Sequence, residues 1–163
     1  MDIRHVRLGP LPGEAVGELL TLQRAAYVTE ARIYDDVRLP PLEQSLEQLA
    51  AELSRAACTG AWLGSRLVGA VRTEIRDDVV HIGRLAVAPD LQGRGIGSRL
   101  LTAAEDVPAS RATLFTGHRS VGNLRLYARH GYVERRREKV RPGLVLVHLD
   151  KDLPWHTEKG GLT

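Results

Sequence analysis

APDLQGRGIGSRLL, residues 88–101, places Gly93, Gly95 and Gly97 within five residues, between an apolar run and a segment with helical spacing. Glycine costs stability inside regular structure, so a cluster at a strand-to-helix step marks a place where backbone must approach something closely. A tight turn, a bound phosphate, or both would require it. If residues 93–97 wrap an anion, consecutive main-chain N–H groups converge on it, and the following helix adds the partial positive charge of its N-terminus. Arg94, with Arg99 beyond it, can add charge-assisted hydrogen bonds from outside. On these grounds the step is a cradle for a pyrophosphate.

Two other phosphate loops fail on spacing. A dinucleotide fingerprint needs a third glycine where Ser98 stands and an acidic residue about 20 positions later, where RATLFTG (111–117) has none. A P-loop needs a lysine followed by Ser or Thr, and no lysine precedes Lys139.

Outward from the glycine step, IRHVRL (3–8) alternates like a first strand, and a helical stretch from about Glu14 to Val28 carries Leu19, Leu22 and Ala26 on one face. Residues 27–41 have no sustained period and end in two prolines. They predict a long connection into a second helix, whose stripe of Leu42, Leu46, Leu49 and Leu53 is expected to pack on a sheet. From Gly60 onward, three strands with short links, one of them Asp77-Asp78, predict an antiparallel meander. The glycine step then opens a helix with Ile96, Leu100, Ala103 and Ala104 on one face, and RATLFTG is the next strand. A right-handed crossover of this kind makes the two strands parallel neighbours, or leaves them splayed where something lies between. Residues 120–150 add a short helix ended by Gly131 and two strands around Pro142-Gly143. The expected class is α+β, a mixed sheet with helices on its faces, in one domain over 1–150 with a tail over 151–163.

Composition narrows the function. No run approaches the roughly 18 consecutive apolar residues of a membrane span, and MDIRHVRLGP lacks the basic start and apolar block of a secretory signal, so a cytoplasmic protein with no membrane partner is expected. Cys58 is the only cysteine, which excludes an internal disulfide and a cysteine-based metal site and reads as a buried, inert thiol. The six histidines are scattered without the spacing of a zinc helix, so no metal is expected. A net charge of +3, from 23 basic against 20 acidic residues, is not a nucleic-acid footprint.

Gln92-x-x-Gly95-x-Gly97, preceded by RLAVAPD and followed by an apolar helix, resembles the coenzyme A pyrophosphate loop of the GCN5-related N-acetyltransferase (GNAT) family. NLRLYARHGYVERR (123–136) is similar to the family's late helix and the strand after it, and the order of elements matches over residues 3–150. The resemblance implies a GNAT fold: a mostly antiparallel sheet of about seven strands, splayed between the fourth and fifth, with helices on both faces. It implies acetyl-CoA as cosubstrate, a primary amine on a small molecule or a protein as acceptor, and the homodimers common in the family. It also implies coenzyme contacts at Leu85, Ala86, Val87, Gln92, Gly93, Arg94, Gly95, Ile96, Gly97, Ser98, Asn123 and Tyr127.

Acetyl transfer from a thioester to an amine needs a neutral amine, a polarised carbonyl and a proton for the leaving thiolate. A lysine-like amine of pKa near 10.4 is neutral in only about one molecule in a few thousand at pH 7, which is roughly 4 to 5 kcal/mol of unfavourable proton transfer. The strand VVHIGRLAV runs into the loop, and Gly83 in its middle suggests a bulge or a close backbone approach. By resemblance, the amides of Leu85 and Val87 meet the thioester and the pantetheine arm. Asn123 and Tyr127 share one helix face. That face points at the coenzyme in the family, and a phenol of pKa near 10 can donate to a thiolate of pKa near 8.5, so Tyr127 is the candidate acid.

His81 stands at the strand position where histone acetyltransferases of the family carry a glutamate and serotonin N-acetyltransferase carries a histidine. It is the candidate base, a structural histidine being the other reading. Glu30, in the long connection that forms a wall of the acceptor site in the family, and Glu74, on the preceding strand, are candidate substrate carboxylates. Arg32 and Arg38 alternate with the acids Glu30, Asp35 and Asp36, which also fits a self-paired loop. Arg135-Arg136-Arg137 reads as a solvated sheet edge. The alternative function for the same fold is a non-catalytic acyl-CoA sensor.

Overall fold

The computed structural model describes residues 2–154. Its strands are β1 (Arg7–Pro10), β2 (Ala57–Leu63), β3 (Arg66–Arg76), β4 (Val79–Val87), β5 (Arg111–Gly117), β6 (Val133–Arg141) and β7 (Leu144–Asp152). Its helices are α1 (Val16–Tyr34), α2 (Pro40–Glu43), α3 (Leu46–Leu53), α4 (Ile96–Glu105) and α5 (Val121–Arg129). The strands form one sheet in the order β1-β2-β3-β4-β5-β7-β6, antiparallel throughout except for the β4–β5 pair. The mixed sheet and its parallel fourth and fifth strands are as the sequence predicts.

Local chemistry sets the register. Gly64 and both residues of the Asp77-Asp78 turn have positive φ, the left-handed conformation that two-residue hairpins require. Leu67–Arg72 of β3 are buried on both faces, with α4 and α1 packed against the strand. Gly69 permits the closer of these contacts: a Cβ there would lie 2.8 Å from Leu100 Cδ1 and 3.1 Å from Ile96 Cγ2. Leu91, Ile96, Leu100 and Leu101 are buried in the resulting core, which anchors the glycine step to the sheet at both ends.

The sheet opens where β4 leaves β5. Only Val79, Val80 and His81 pair with β5, opposite Arg111, Ala112 and Thr113. Beyond them β4 carries a bulge: Arg72 pairs with Gly83 and Ala70 with Ala86, so that Arg84 and Leu85 together face Val71. An extra residue bends and twists a strand. The bulge residue with positive φ is Arg84, at +51°, not Gly83, whose Cβ position is open. The expected irregularity is present, one residue later than its glycine suggested.

Several boundaries differ from the sequence-based expectation. Ile3–His5 form a 3-10 turn before β1. α1 runs six residues past Val28, to Tyr34, and ends where Asp35 turns left-handed, so Glu30 lies on a helix and not in a connection. The second helix is two pieces: Leu42 belongs to α2, and α3 starts behind a capping box made by Ser45 and Gln48. Leu49 is wholly buried while Leu46 is exposed, and α3 packs mainly against α1, not on the sheet. Cys58 lies in β2, partly and not fully buried, and burial pushes its thiol up to about 11, which keeps it neutral. Lys151 and Asp152 continue β7 and Leu153 is buried, so the folded unit extends past residue 150. The rest of the expected tail, 155–163, lies outside the described residues. β6 is the exposed edge, where Arg135, Arg136 and Arg137 pair with Asp150, Glu138 and Glu134.

Candidate active site

The glycine step has the geometry that an anion cradle needs. Gly93 and Gly95 have φ of +75° and +90°, and nothing lies within 4 Å of a Cβ built on either. Backbone conformation demands these glycines, and the space beside them is open. Gly95 is the N-cap of α4, with no side chain capping that helix. The first N–H groups of an α-helix lack intrahelical acceptors, so α4 presents donors and its positive dipole end toward this space.

The space is a cleft of about 580 Å³, lined by Leu85, Ala86 and Val87 of β4, by Gln92, Gly93, Gly95, Ile96, Gly97 and Ser98, and by Asn123 of α5. Ten of the twelve expected coenzyme contacts therefore form one continuous surface. Arg94 is exposed and off the cleft wall. The twelfth, Tyr127, is buried behind the wall, its ring 5.9 Å from that of Tyr132. Asn123 is fixed by donating from Nδ2 to Thr116 Oγ1 of β5 at 3.2 Å. α5 thus closes the gap that the parting of β4 and β5 leaves.

The titratable groups divide between the cleft and its surroundings. Burial raises the Tyr127 phenol, and the nearby Tyr27 and Glu30 raise it further, so it stays protonated at neutral pH. His81 is the last β4 residue paired with β5, at the point where the strands part. Burial lowers its pKa first; Arg76 and Arg111 act in the same sense, against Glu74 and Asp77, and the imidazole is neutral at pH 7. It is not on the cleft wall. Glu74 faces His81 from β3, lies 3.7 Å from Arg76 Nε, and is away from the cleft, so the structure does not bring it to the site. Glu30 does line the cleft, and its Oε2 accepts from Ser120 Oγ at 2.5 Å. Among the described residues no group of three or more His, Cys, Asp or Glu converges as metal ligands.

The sequence is matched by a family model described as an acetyltransferase (GNAT) domain, over residues 32–153. This chain belongs to the GNAT acetyltransferase family. It is 28% identical over 131 residues to the UPF0157 protein YqkA of Bacillus subtilis (strain 168), a match that covers 79% of this chain and 38% of that relative's length. Among solved structures it resembles the PaiA N-acetyltransferase of Thermoplasma acidophilum in complex with coenzyme A, with a TM-score of 0.72 at 23% identity over 88% of this chain and 97% of that one. It also resembles YncA of Salmonella typhimurium, a putative acetyltransferase with acetyl-CoA, with a TM-score of 0.72 at 12% identity over 91% and 94% of the two chains. At such identities the likeness is one of fold.

Tertiary structure adds residues to this GNAT cleft that the sequence did not single out. Tyr27 and Ile33 join the expected Glu30 in bringing one face of α1 to the wall, and Arg125 and Arg129 of α5 add two guanidinium groups suited to phosphate oxygens. Behind the α1 wall, Arg72 is 4% exposed. It donates to Glu52 Oε1 at 2.6 Å and to Gln23, whose Nε2 in turn bonds Pro41 O at 2.8 Å. Burial raises the Glu52 carboxyl, but hydrogen bonds from Gln44 and Arg72 outweigh it, and the group ends below its ordinary range. This network ties α1, α2 and α3 to β3. No local sequence pattern joins residues so far apart.

Proposed function

We propose that this GNAT domain transfers an acetyl group from acetyl-CoA directly to a primary amine. The observation that carries the reading is the main-chain cradle: two left-handed glycines and an uncapped helix start, opening onto the cleft lined by the end of β4, α1 and α5. Pyrophosphate oxygens fit such donors, and Arg125 and Arg129 supply countercharge. The pantetheine arm would then run along Leu85–Val87, whose strand amides can polarise the thioester carbonyl.

Tyr127 is the proposed proton donor to the departing thiolate. Its neutral phenol and its place one helical turn from Asn123 support that role, in which, like His81, it needs an intervening water because it lies off the wall. His81 is neutral and can accept a proton, but its position off the wall requires an intervening water. A covalent acyl-enzyme has no support, since the neutral Cys58 thiol is in β2 and does not line the cleft. The acceptor is a small-molecule or protein amine.

A second reading, an acyl-CoA sensor without turnover, is favoured by one observation, the placement of Tyr127 behind the wall. Thiol release from acetyl-CoA with a panel of primary amines (spermidine, lysine, tryptamine and an alanine-terminated peptide) separates the two. Turnover with any of them supports the transferase; tight acetyl-CoA binding without thiol release supports the sensor. Acetyl-CoA at 100 times its Kd should stabilise the fold by about 2.7 kcal/mol, and no thermal shift at all would remove the cosubstrate from both readings.

A further inference from the structure

Resting on the transferase reading, we infer that Glu30 receives the proton of the acceptor amine, and that a chain of hydroxyl groups through Ser120 and Tyr34 holds it for that task. Glu30 lies on the cleft wall that also carries Leu85 and Val87, whereas His81 does not. Its Oε2 takes a hydrogen bond from Ser120 Oγ at 2.5 Å, and Ser120 is 2% exposed. Because the Ser120 proton is committed to the carboxylate, Tyr34 Oη is the donor in its 2.8 Å contact with Ser120 Oγ. Tyr34 Oη in turn accepts from the Arg119 main-chain N–H at 3.0 Å. Each hydroxyl accepts one hydrogen bond and donates one, and the chain ends on the carboxylate. Oε2 is thereby engaged by Ser120, which shares the cleft lining with Glu30, and the proton is assigned to the other oxygen, Oε1.

A second observation indicates a built arrangement. Gly117, the last residue of β5, has the Tyr34 hydroxyl where its own Cβ would stand, so any larger residue there would displace Tyr34. A glycine on β5, a tyrosine ending α1 and a serine preceding α5 converge on one carboxylate oxygen. The phenols of Tyr27 and Tyr127 also lie within electrostatic reach of Glu30, Tyr27 on the same cleft wall and Tyr127 behind it.

The step balances. The neutral amine attacks the thioester carbon, and a C–N bond forms as the carbonyl electrons move to oxygen. The nitrogen, now cationic, passes a proton to Glu30 Oε1. The oxyanion's electron pair then re-forms the carbonyl as the C–S bond breaks with its own pair on sulfur, and the thiolate takes the Tyr127 proton. Solvent receives the proton from Glu30 and restores that of Tyr127. An ordinary ammonium of pKa near 10.4 would hold its proton against a carboxylate, but nitrogen bonded to the former carbonyl carbon is far more acidic, and the transfer becomes feasible at that stage.

The test measures thiol release with the amine of the panel that wild type uses fastest, beside calorimetric binding of acetyl-CoA. Glu30→Gln should lower kcat about 100-fold with acetyl-CoA affinity retained. Glu30→Ala should be equally slow and recover several-fold in formate, a response that a merely structural glutamate would not give. Tyr34→Phe and Gly117→Ala should each lower kcat about tenfold while the KM for the amine holds, as expected of positioning residues. The inference is overturned if Glu30→Gln keeps its kcat, if the whole loss appears in the amine KM, or if formate leaves Glu30→Ala unmoved. Wild type that binds acetyl-CoA yet releases no thiol with any amine defeats the transferase reading itself, and this inference with it.

Discussion

The glycine step and the α1 wall face each other across one cleft, but they are built from different materials. The step offers main-chain N–H groups, and its requirements are local: left-handed backbone at Gly93 and Gly95, then a helix start. The wall offers side chains, and its requirements are remote. Glu30 meets Ser120 across 90 positions of sequence, and Tyr34 meets the same serine across 86. A backbone site can be specified by a handful of consecutive residues, whereas a side-chain site exists only once the elements that carry it have docked.

If that contrast is right, damage to the step should be severe and local. Gly95→Val forces a β-branched residue to positive φ, at a cost of about 1–3 kcal/mol, and puts a side chain into the open side of the cradle. The expected result is loss of the acetyl-CoA thermal shift in a protein that still folds; a retained shift would mean that the cradle is not where the coenzyme binds. Arg72→Met probes the remote kind of construction. It removes the cation from a buried network and leaves Glu52 with only its hydrogen bond from Gln44, an expected loss of about 2–3 kcal/mol after allowance for the partial exposure of Glu52, read by denaturant unfolding.

Tyr127→Phe is expected to lower turnover by about ten- to a hundredfold while acetyl-CoA binding persists; unchanged turnover removes the phenol from the chemistry. The next effect is one of pH. The Glu52 carboxyl is held below its ordinary range in the folded protein. The unfolded chain therefore binds more protons between the two pKa values, and stability rises with pH across that window. The contribution is present above the unfolded value and lost as pH falls through the folded one, so Glu52→Gln should flatten the acid limb of the stability curve. Smallest is the expected effect on the pH–rate profile: a limb on the acid side of the ordinary histidine value that disappears in His81→Ala would give the imidazole a share in proton transfer that the Glu30 assignment does not need.

Sequence reading went furthest where apolar period or backbone conformation carried the signal. The meander, the parallel crossover and the glycine step are all visible in this way. It fell short over 27–34, where α1 continues although the apolar period stops. Tyr27, Glu30 and Tyr34 occupy the helical spacing that leucines would fill in a core helix, but their face lines the cleft or reaches α5, and a polar functional face erases the periodicity used to recognise it. Tyr27 was missed for the same reason. The spacing of 27, 30 and 34 was the available clue. Gly83 misled by one residue because a bulge is decided by how two strands pair, and Arg84 adopts the left-handed conformation beside it.

The amino-acid sequence alone determined the order of elements and the conformation of the glycine loop, because short-range sterics and hydrophobic period act between near neighbours; the parting of the fourth and fifth strands was implied by the family resemblance and is set by how β4 pairs. Only the tertiary structure decided which side chains share the cleft: it drew Glu30 in, left Glu74 and His81 off the wall, and set Tyr127 behind it. Those outcomes depend on how far α1 extends and where α5 docks, and both are settled by packing among segments that are distant in the chain.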